Sequence, residues 1–227
     1  PMTTTTTAEQ PAAWLFDLDN TLYPARCDLF AQTDRRIGEF ISKLLDVHYD
    51  DAKRIQKDYW KAHGTSLRGL MTLHNVDPVP YLDYVHDIDY APVDASPRLD
   101  QALKQLTGRK IVFTNGTVRH AERVLERLGV AHHFEGIYDI VAADYVPKPE
   151  MVVYRDIVGR YGVDPARAIM LDDIAVNLKP AHALGMRTVW IRTPESTQRA
   201  QGLPLDWIHH QTEDLVDWLH DYLDGRG

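Results

Sequence analysis

The stretch Ala12-Ala13-Trp14-Leu15-Phe16-Asp17-Leu18-Asp19-Asn20-Thr21 passes from an apolar run straight into two carboxylates set two residues apart. The run is too short for an independent helix and rich in bulky side chains. It predicts a buried strand with Asp17 and Asp19 at its carboxyl end. Runs of the same character occur at residues 110–114, 137–141, 168–172 and 187–192. Between the later ones lie helix-patterned segments at 118–128, 149–161 and 175–184, the first and last stopped by Gly129 and Gly185. Strands alternating with helices predict an α/β fold, a doubly wound parallel sheet with helices on both faces. Residues 212–223 carry Leu215, Trp218, Leu219 and Tyr222 at helical spacing, a further helix expected to pack on the core.

One interval breaks the alternation. Roughly ninety residues separate the first strand from the second, far beyond an ordinary strand–helix loop. Most of them read as helix, at 28–47, 49–61, 65–74 and 80–85, with breaks at Gly64, Asp77-Pro78 and residues 91–97. The predicted organisation is a core of residues 11–23 and 96–227, interrupted by a helical domain at 24–95. Ligands of doubly wound sheets bind outside the carboxyl ends of the strands. An insert that leaves the core at that edge would roof the site.

The 227 residues are 44% hydrophobic and 26% charged, the composition of a globular protein. A formal charge of -8 argues against a nucleic-acid partner, since such domains carry a basic face. No uncharged apolar run approaches the ~18 residues of a membrane span. One cysteine, Cys27, leaves no internal disulfide and fits the cytoplasm. Residues 1–10 form a threonine-rich polar tail expected to be disordered, without the apolar segment of a secretory signal.

Polar groups gather at the strands' carboxyl ends. After Asp17 and Asp19 come Thr114-Asn115-Gly116, then Lys148 between Pro147 and Pro149, then Asp172-Asp173 with Asn177 beyond. Taken singly, each also reads as a turn, a helix cap or a solvated loop charge. Their order and common location tell more. Several carboxylates in one cleft repel one another without a cation, and hard oxygen donors favour Mg²⁺. A lysine and a hydroxyl beside that cluster call for a ligand with further negative charge, for which phosphate is the obvious candidate.

In combination these segments resemble the four ordered motifs of the haloacid dehalogenase-like hydrolase superfamily, and the insert resembles that superfamily's helical cap of the first class. The resemblance implies a Rossmann-like core with the first strand central. It implies Asp17 as nucleophile, forming an aspartyl-phosphate, and Asp19 as the acid for the leaving alkoxide and then the base for water. Thr114 and the amides of Asn115 and Gly116 would hold phosphoryl oxygens, and Lys148 would neutralise charge between nucleophile and phosphate. Mg²⁺ would sit on the Asp17 carboxylate, the Asp19 carbonyl and Asp173, with Asp172 beside them as a further candidate ligand, at a position where many relatives carry glycine or glutamate, and Asn177 orienting the cluster from behind. The dehalogenases lack the second aspartate, so Asp19 points to phosphoryl transfer.

The segment Tyr59-Trp60-Lys61-Ala62-His63-Gly64-Thr65-Ser66-Leu67-Arg68-Gly69-Leu70 resembles the cap of the pyrimidine 5′-nucleotidase branch. It implies a small-molecule phosphomonoester substrate, a pyrimidine nucleoside 5′-monophosphate, with an aromatic surface for the base and hydrogen bonds from His63 and Thr65. On the residues alone, Tyr59, Trp60, Leu67 and Leu70 also read as cap core. A sugar-phosphate phosphatase, a phosphomutase or an inactive ligand-binding relative would share the core motifs. The doublets His132-His133 and His209-His210 show no partner at metal-ligand spacing and read as surface residues, and Cys27 as a small apolar filler.

Overall fold

A computed structural model describes residues 10–226; the expected tail falls almost wholly outside them. The chain runs β1 (Ala13–Phe16), α1 (Leu29–Leu45), α2 (Tyr49–His63), α3 (Ser66–His74), α4 (Pro78–Val85) and α5 (Pro97–Gln105). It continues with β2 (Arg109–Phe113), α6 (Val118–Leu128), β3 (Gly136–Tyr138), α7 (Met151–Tyr161), β4 (Ala168–Asp172) and α8 (Leu178–Ala183). It ends with β5 (Arg187–Ile191), α9 (Pro194–Arg199), β6 (His210–Thr212) and α10 (Leu215–Leu223). The six strands form one parallel sheet in the order β3-β2-β1-β4-β5-β6.

The apolar character of β1 follows from its place between β2 and β4, where both faces are covered. Trp14 and Phe16 point into a layer built with Leu99 and Leu103 of α5, Val124 and Leu125 of α6, and Leu219 of α10. Leu15 points the opposite way, toward Tyr154 and Ile157 of α7 and Leu178 of α8. Between β1 and β2, helices α1–α4 bury their own cluster around Ile41, Leu67, Leu70 and Leu82. Ile140 from beyond β3 packs into it.

Several elements depart from expectation for local reasons. The third strand stops at Tyr138 rather than reaching residue 141, because the buried Asp139 accepts from the amides of Val118 and Ala142 and turns the chain. The segment at 175–184 opens as a 3-10 turn before α8. Pro97, read as a break, starts α5 behind Ser96, whose hydroxyl accepts from Leu99 N; proline suits the first turn because its missing N–H has no partner there anyway. Helix α9 opens in the same way, with a Thr193–Ser196 capping box before Pro194. Thr212 belongs to β6, and Asp214 caps α10.

Candidate active site

The sheet order puts β1 beside β2 and β4, so Asp17, Thr114 and Asp172 leave adjacent strands at one edge. Beyond β1 the chain turns sharply: Leu18 O accepts from the amides of Thr21 and Leu22, and Asn20 takes φ +58. Asparagine tolerates that left-handed conformation better than most residues, which explains its place after Asp19. The turn returns Thr21 Oγ1 to Asp17 Oδ2 at 2.8 Å and Tyr23 Oη to Asp19 Oδ1 at 2.6 Å.

Lys148 is the hub. Its ammonium, 2% exposed with the rest of the residue, donates to Asp17 Oδ1 at 2.9 Å, Asp172 Oδ2 at 2.7 Å and Phe113 O at 2.9 Å. Burial alone would push its pKa down, but the two carboxylates outweigh it and raise it. The loop carrying the lysine is held by Asn115, whose Oδ1 accepts from Lys148 N at 2.9 Å and whose Nδ2 donates to Lys148 O at 3.4 Å. Asn115 therefore acts on the lysine through its side chain, a role absent from the sequence reading. Asn115→Ala is expected to lower turnover by roughly 10-fold with little change in stability, measured by initial rates and thermal unfolding. The Gly116 N–H donates to Thr114 Oγ1 at 2.9 Å, so in this conformation that amide is committed to the turn rather than free for an anion.

Asp172 is saturated: beside Lys148, it accepts from Ile174 N at 2.8 Å and from Asn177 Nδ2. Asp173 is also buried, without such donors from the described side chains, and its pKa is raised well above the ordinary carboxylate value by burial, then by Asp17 and Asp172. Burial and Asp172 also raise Asp17, against the pull of Lys148, to about 7. Asp19 moves the other way. Burial would raise it, but His120 and Tyr23 bring it down to about 2. His120, on the first turn of α6, places Nε2 2.8 Å from Asp19 Oδ1. Sequence reading missed it; the available signal was a histidine three residues after the Thr117 cap, on a helix starting at a strand's carboxyl end.

Ligand atoms of Asp17, Asp172 and Asp173 lie within 4.8 Å of one another. Three buried carboxylates crowded together, with one lysine against them, fit a hard divalent cation such as Mg²⁺. Asp17 and Asp173 retain the capacity to hold it.

In the helical insert, Gly64 has φ +85, and a Cβ there would come within 3.2 Å of Pro147 Cγ and 3.6 Å of Lys148 O. The His63-Gly64-Thr65 turn thus sits directly on the lysine loop. Thr65 Oγ1 accepts from Arg68 N at 3.1 Å as the cap of α3, and the half-buried His63 meets Tyr59 edge-on. The aromatic surface expected for a base is engaged elsewhere. Tyr59 packs in the insert's own cluster and reaches His74 with its hydroxyl, while Trp60 lies under the Arg199 guanidinium of α9 at 4.5 Å. A cavity of about 860 Å³ runs along residues 20–27 and 92–96, the two crossings between core and insert; Asp17 does not line it. Of the histidine doublets, His132 and His209 lie at the surface as expected, while His133 is half-buried. His133 and His132 place Nε2 at 2.7 and 3.1 Å from Asp100 of α5, a partner hidden because that helix was not foreseen. His209 Nδ1 accepts from Thr188 N.

Residues 12–185 match the haloacid dehalogenase-like hydrolase family. The chain belongs to that family. Among relatives of the chain, phosphate metabolism protein 8 of Saccharomyces cerevisiae is 28% identical over 191 residues, 76% of this chain and 59% of that protein. Fructose-1-phosphate phosphatase YqaB of Escherichia coli is 29% identical over 126 residues, 54% of this chain and 56% of that protein. The chain thus spans little more than half the length of these curated relatives. The HAD phosphatase from Thermococcus onnurineus shares its fold with a TM-score of 0.62 and 18% identity, covering 95% of this chain and 97% of that one. No helix among the described residues is long and apolar enough to cross a membrane.

Proposed function

We propose that this hydrolase is a Mg²⁺-dependent phosphomonoesterase working through an aspartyl-phosphate on Asp17. The observation that carries the reading is the Lys148 ammonium, 2.9 Å from Asp17 and 2.7 Å from Asp172, with Asp19 beside them on the same turn. Bound by Asp17, Asp173 and the Asp19 carbonyl, the cation supplies charge stabilisation for the transferring phosphoryl group. In the first step an Asp17 oxygen bonds to phosphorus, the ester P–O bond breaks, and the leaving oxygen takes a proton from Asp19. In the second, water bonds to phosphorus, gives a proton to Asp19, and the P–O bond to Asp17 breaks to release phosphate. Thr114 orients the phosphoryl oxygens and Lys148 balances the charge shared with Asp17. Asp19 is ionised in the free protein, which suits the second step. An incoming phosphate places like charge beside it and favours the protonated form needed in the first.

The substrate proposed is a nucleoside 5′-monophosphate, pyrimidine before purine, read by His63 and Thr65 of the turn above Lys148. The packing of the half-buried Tyr59 in the insert's cluster and the pairing of Trp60 with Arg199 leave less aromatic surface for a base, and the likeness to the Escherichia coli fructose-1-phosphate phosphatase favours a sugar phosphate as the second reading. Phosphate release from UMP, CMP, AMP, ribose 5-phosphate and fructose 1-phosphate separates the two. Preference for a sugar phosphate by kcat/KM retires the nucleotide reading alone. Excess EDTA is expected to bring release to background, with Mg²⁺ restoring it better than Ca²⁺, whose looser coordination suits the site less. Full activity in EDTA overturns the metal assignment.

A further inference from the structure

Asp19 has two oxygens, and the structure treats them differently. Both hydrogen bonds to the carboxylate fall on Oδ1, from Tyr23 Oη at 2.6 Å and His120 Nε2 at 2.8 Å. Oδ2 points over the Thr114–Gly116 turn, where a Cβ on Gly116 would lie 3.8 Å from it, 3.3 Å from Thr114 Oγ1 and 3.2 Å from the His120 ring. That is where the phosphoryl group and its leaving oxygen belong in the mechanism above. One oxygen is anchored and the other is free to work.

The anchor has its own support. The His120 side chain is 1% exposed. Its Nδ1 lies 2.8 Å from Tyr90 Oη, and Tyr90 Oη donates to His86 O at 3.2 Å. The His86 ring stacks on the His120 ring at 4.4 Å and 10°, which fixes the plane of the imidazole. Burial holds His86 down to about 3 and pushes Tyr90 up to about 12, so one stays a neutral ring and the other a protonated phenol. Residues 86 and 90 lie on the segment by which the chain returns from α4 to the core.

We propose that His120 is a positioning residue for Asp19: together with Tyr23 it fixes Oδ1, commits Oδ2 to the leaving group, and ties that orientation through Tyr90 to the return segment of the helical insert. The inference rests on the phosphatase reading. A group that only orients a proton donor matters in proportion to how much the leaving group needs the proton. Benzyl phosphate releases a strongly basic alkoxide. p-Nitrophenyl phosphate, similar in shape, releases a weakly basic phenolate that needs little help. General acid–base catalysis contributes roughly 10²–10⁴-fold where it is needed. His120→Leu is therefore expected to lower kcat/KM for benzyl phosphate by about 30–100-fold and for p-nitrophenyl phosphate by less than about 3-fold.

His120→Gln, which keeps an N–H near the Nε2 position, is expected to recover most of the benzyl phosphate activity. Tyr90→Phe removes one hydroxyl and should bias the two esters in the same direction by about 3-fold. A merely structural role for His120 lowers both esters alike, and an unchanged ratio between them in His120→Leu overturns the inference while leaving the phosphatase standing. If His120→Leu lacks a cooperative thermal transition, the Tyr90→Phe ratio decides: a shift supports the tie, and no shift overturns it. A wild-type protein that hydrolyses neither ester removes the phosphatase reading, and this one with it.

Discussion

Asp17→Asn is expected to drop phosphate release to background, a fall of roughly 10⁴–10⁶-fold, the range for losing a nucleophile that forms a covalent intermediate. The same substitution should leave the metal-free protein more stable. Asparagine Oδ1 can still accept from Lys148, and its Nδ2 can donate to Thr21 Oγ1 once that hydroxyl turns, so the shape survives while one of three crowded carboxylates is lost. The pH dependence has a definite sign. Folding raises the Asp17 pKa from 3.8 to about 7, so the folded state prefers the protonated acid. Between those values the folded state binds more protons than the unfolded state, and stability falls as pH rises. In EDTA the wild-type melting temperature should therefore decline from pH 5 to pH 8, and Asp17→Asn should flatten the decline. Mg²⁺ should flatten it too, by offsetting the repulsion directly. Wild-type turnover in Asp17→Asn, or a melting temperature that rises with pH in EDTA, contradicts this account.

Lys148→Met is expected to damage the fold as well as the chemistry. The ammonium is the cation that touches both Asp17 and Asp172. Removing one member of a buried ion group costs about 3–5 kcal/mol because the remaining charge is left without compensation. For a chain of this size that is a fall of roughly 10 °C in melting temperature. The loss should deepen with rising pH, as the unpartnered carboxylates are forced to ionise. Adding Asp172→Asn should recover part of the stability and none of the turnover, because Asn115 then holds a loop with no charge to deliver. A Lys148→Met protein that melts like wild type at pH 8 would show that the cluster is compensated from elsewhere.

How much of this is legible in the sequence depends on how local the cause is. The inner strands announce themselves because the stretch of a strand buried on both faces must be apolar, as residues 13–16, 111–113 and 168–171 are. β6, three polar residues at the sheet edge, carries no such mark. α5 and α9 begin with a capping hydroxyl and a proline, and a proline is as easily read as a break. The site divides in the same way. Asp17, Asp19, Thr114, Lys148 and Asp172 are visible because each follows a strand or sits between prolines. The saturation of Asp172, the grip of Asn115 on Lys148 and the pairing of His120 with Asp19 depend on side chains brought together from distant parts of the chain. His132 and His133 went unpartnered for want of α5.

The central position of β1 also governs when the proposed site can assemble at all. Its register joins Phe16 to Val112 on one side and to Leu171 on the other. At about 5–20 residues per second of synthesis, the second partner arrives roughly 10–30 s after the first strand has been made. Until β2 emerges Trp14, Leu15 and Phe16 have no strand to pair with, and until β4 emerges one side of β1 stays open, although α1–α4 can already bury Ile41 and Leu70 against one another. A nascent chain released before residue 172 thus presents a sticky strand and half a reaction centre, and is a natural client for a chaperone. One synthesised past that point can bring Asp17, Lys148 and the Asp172-Asp173 pair together in a late docking event.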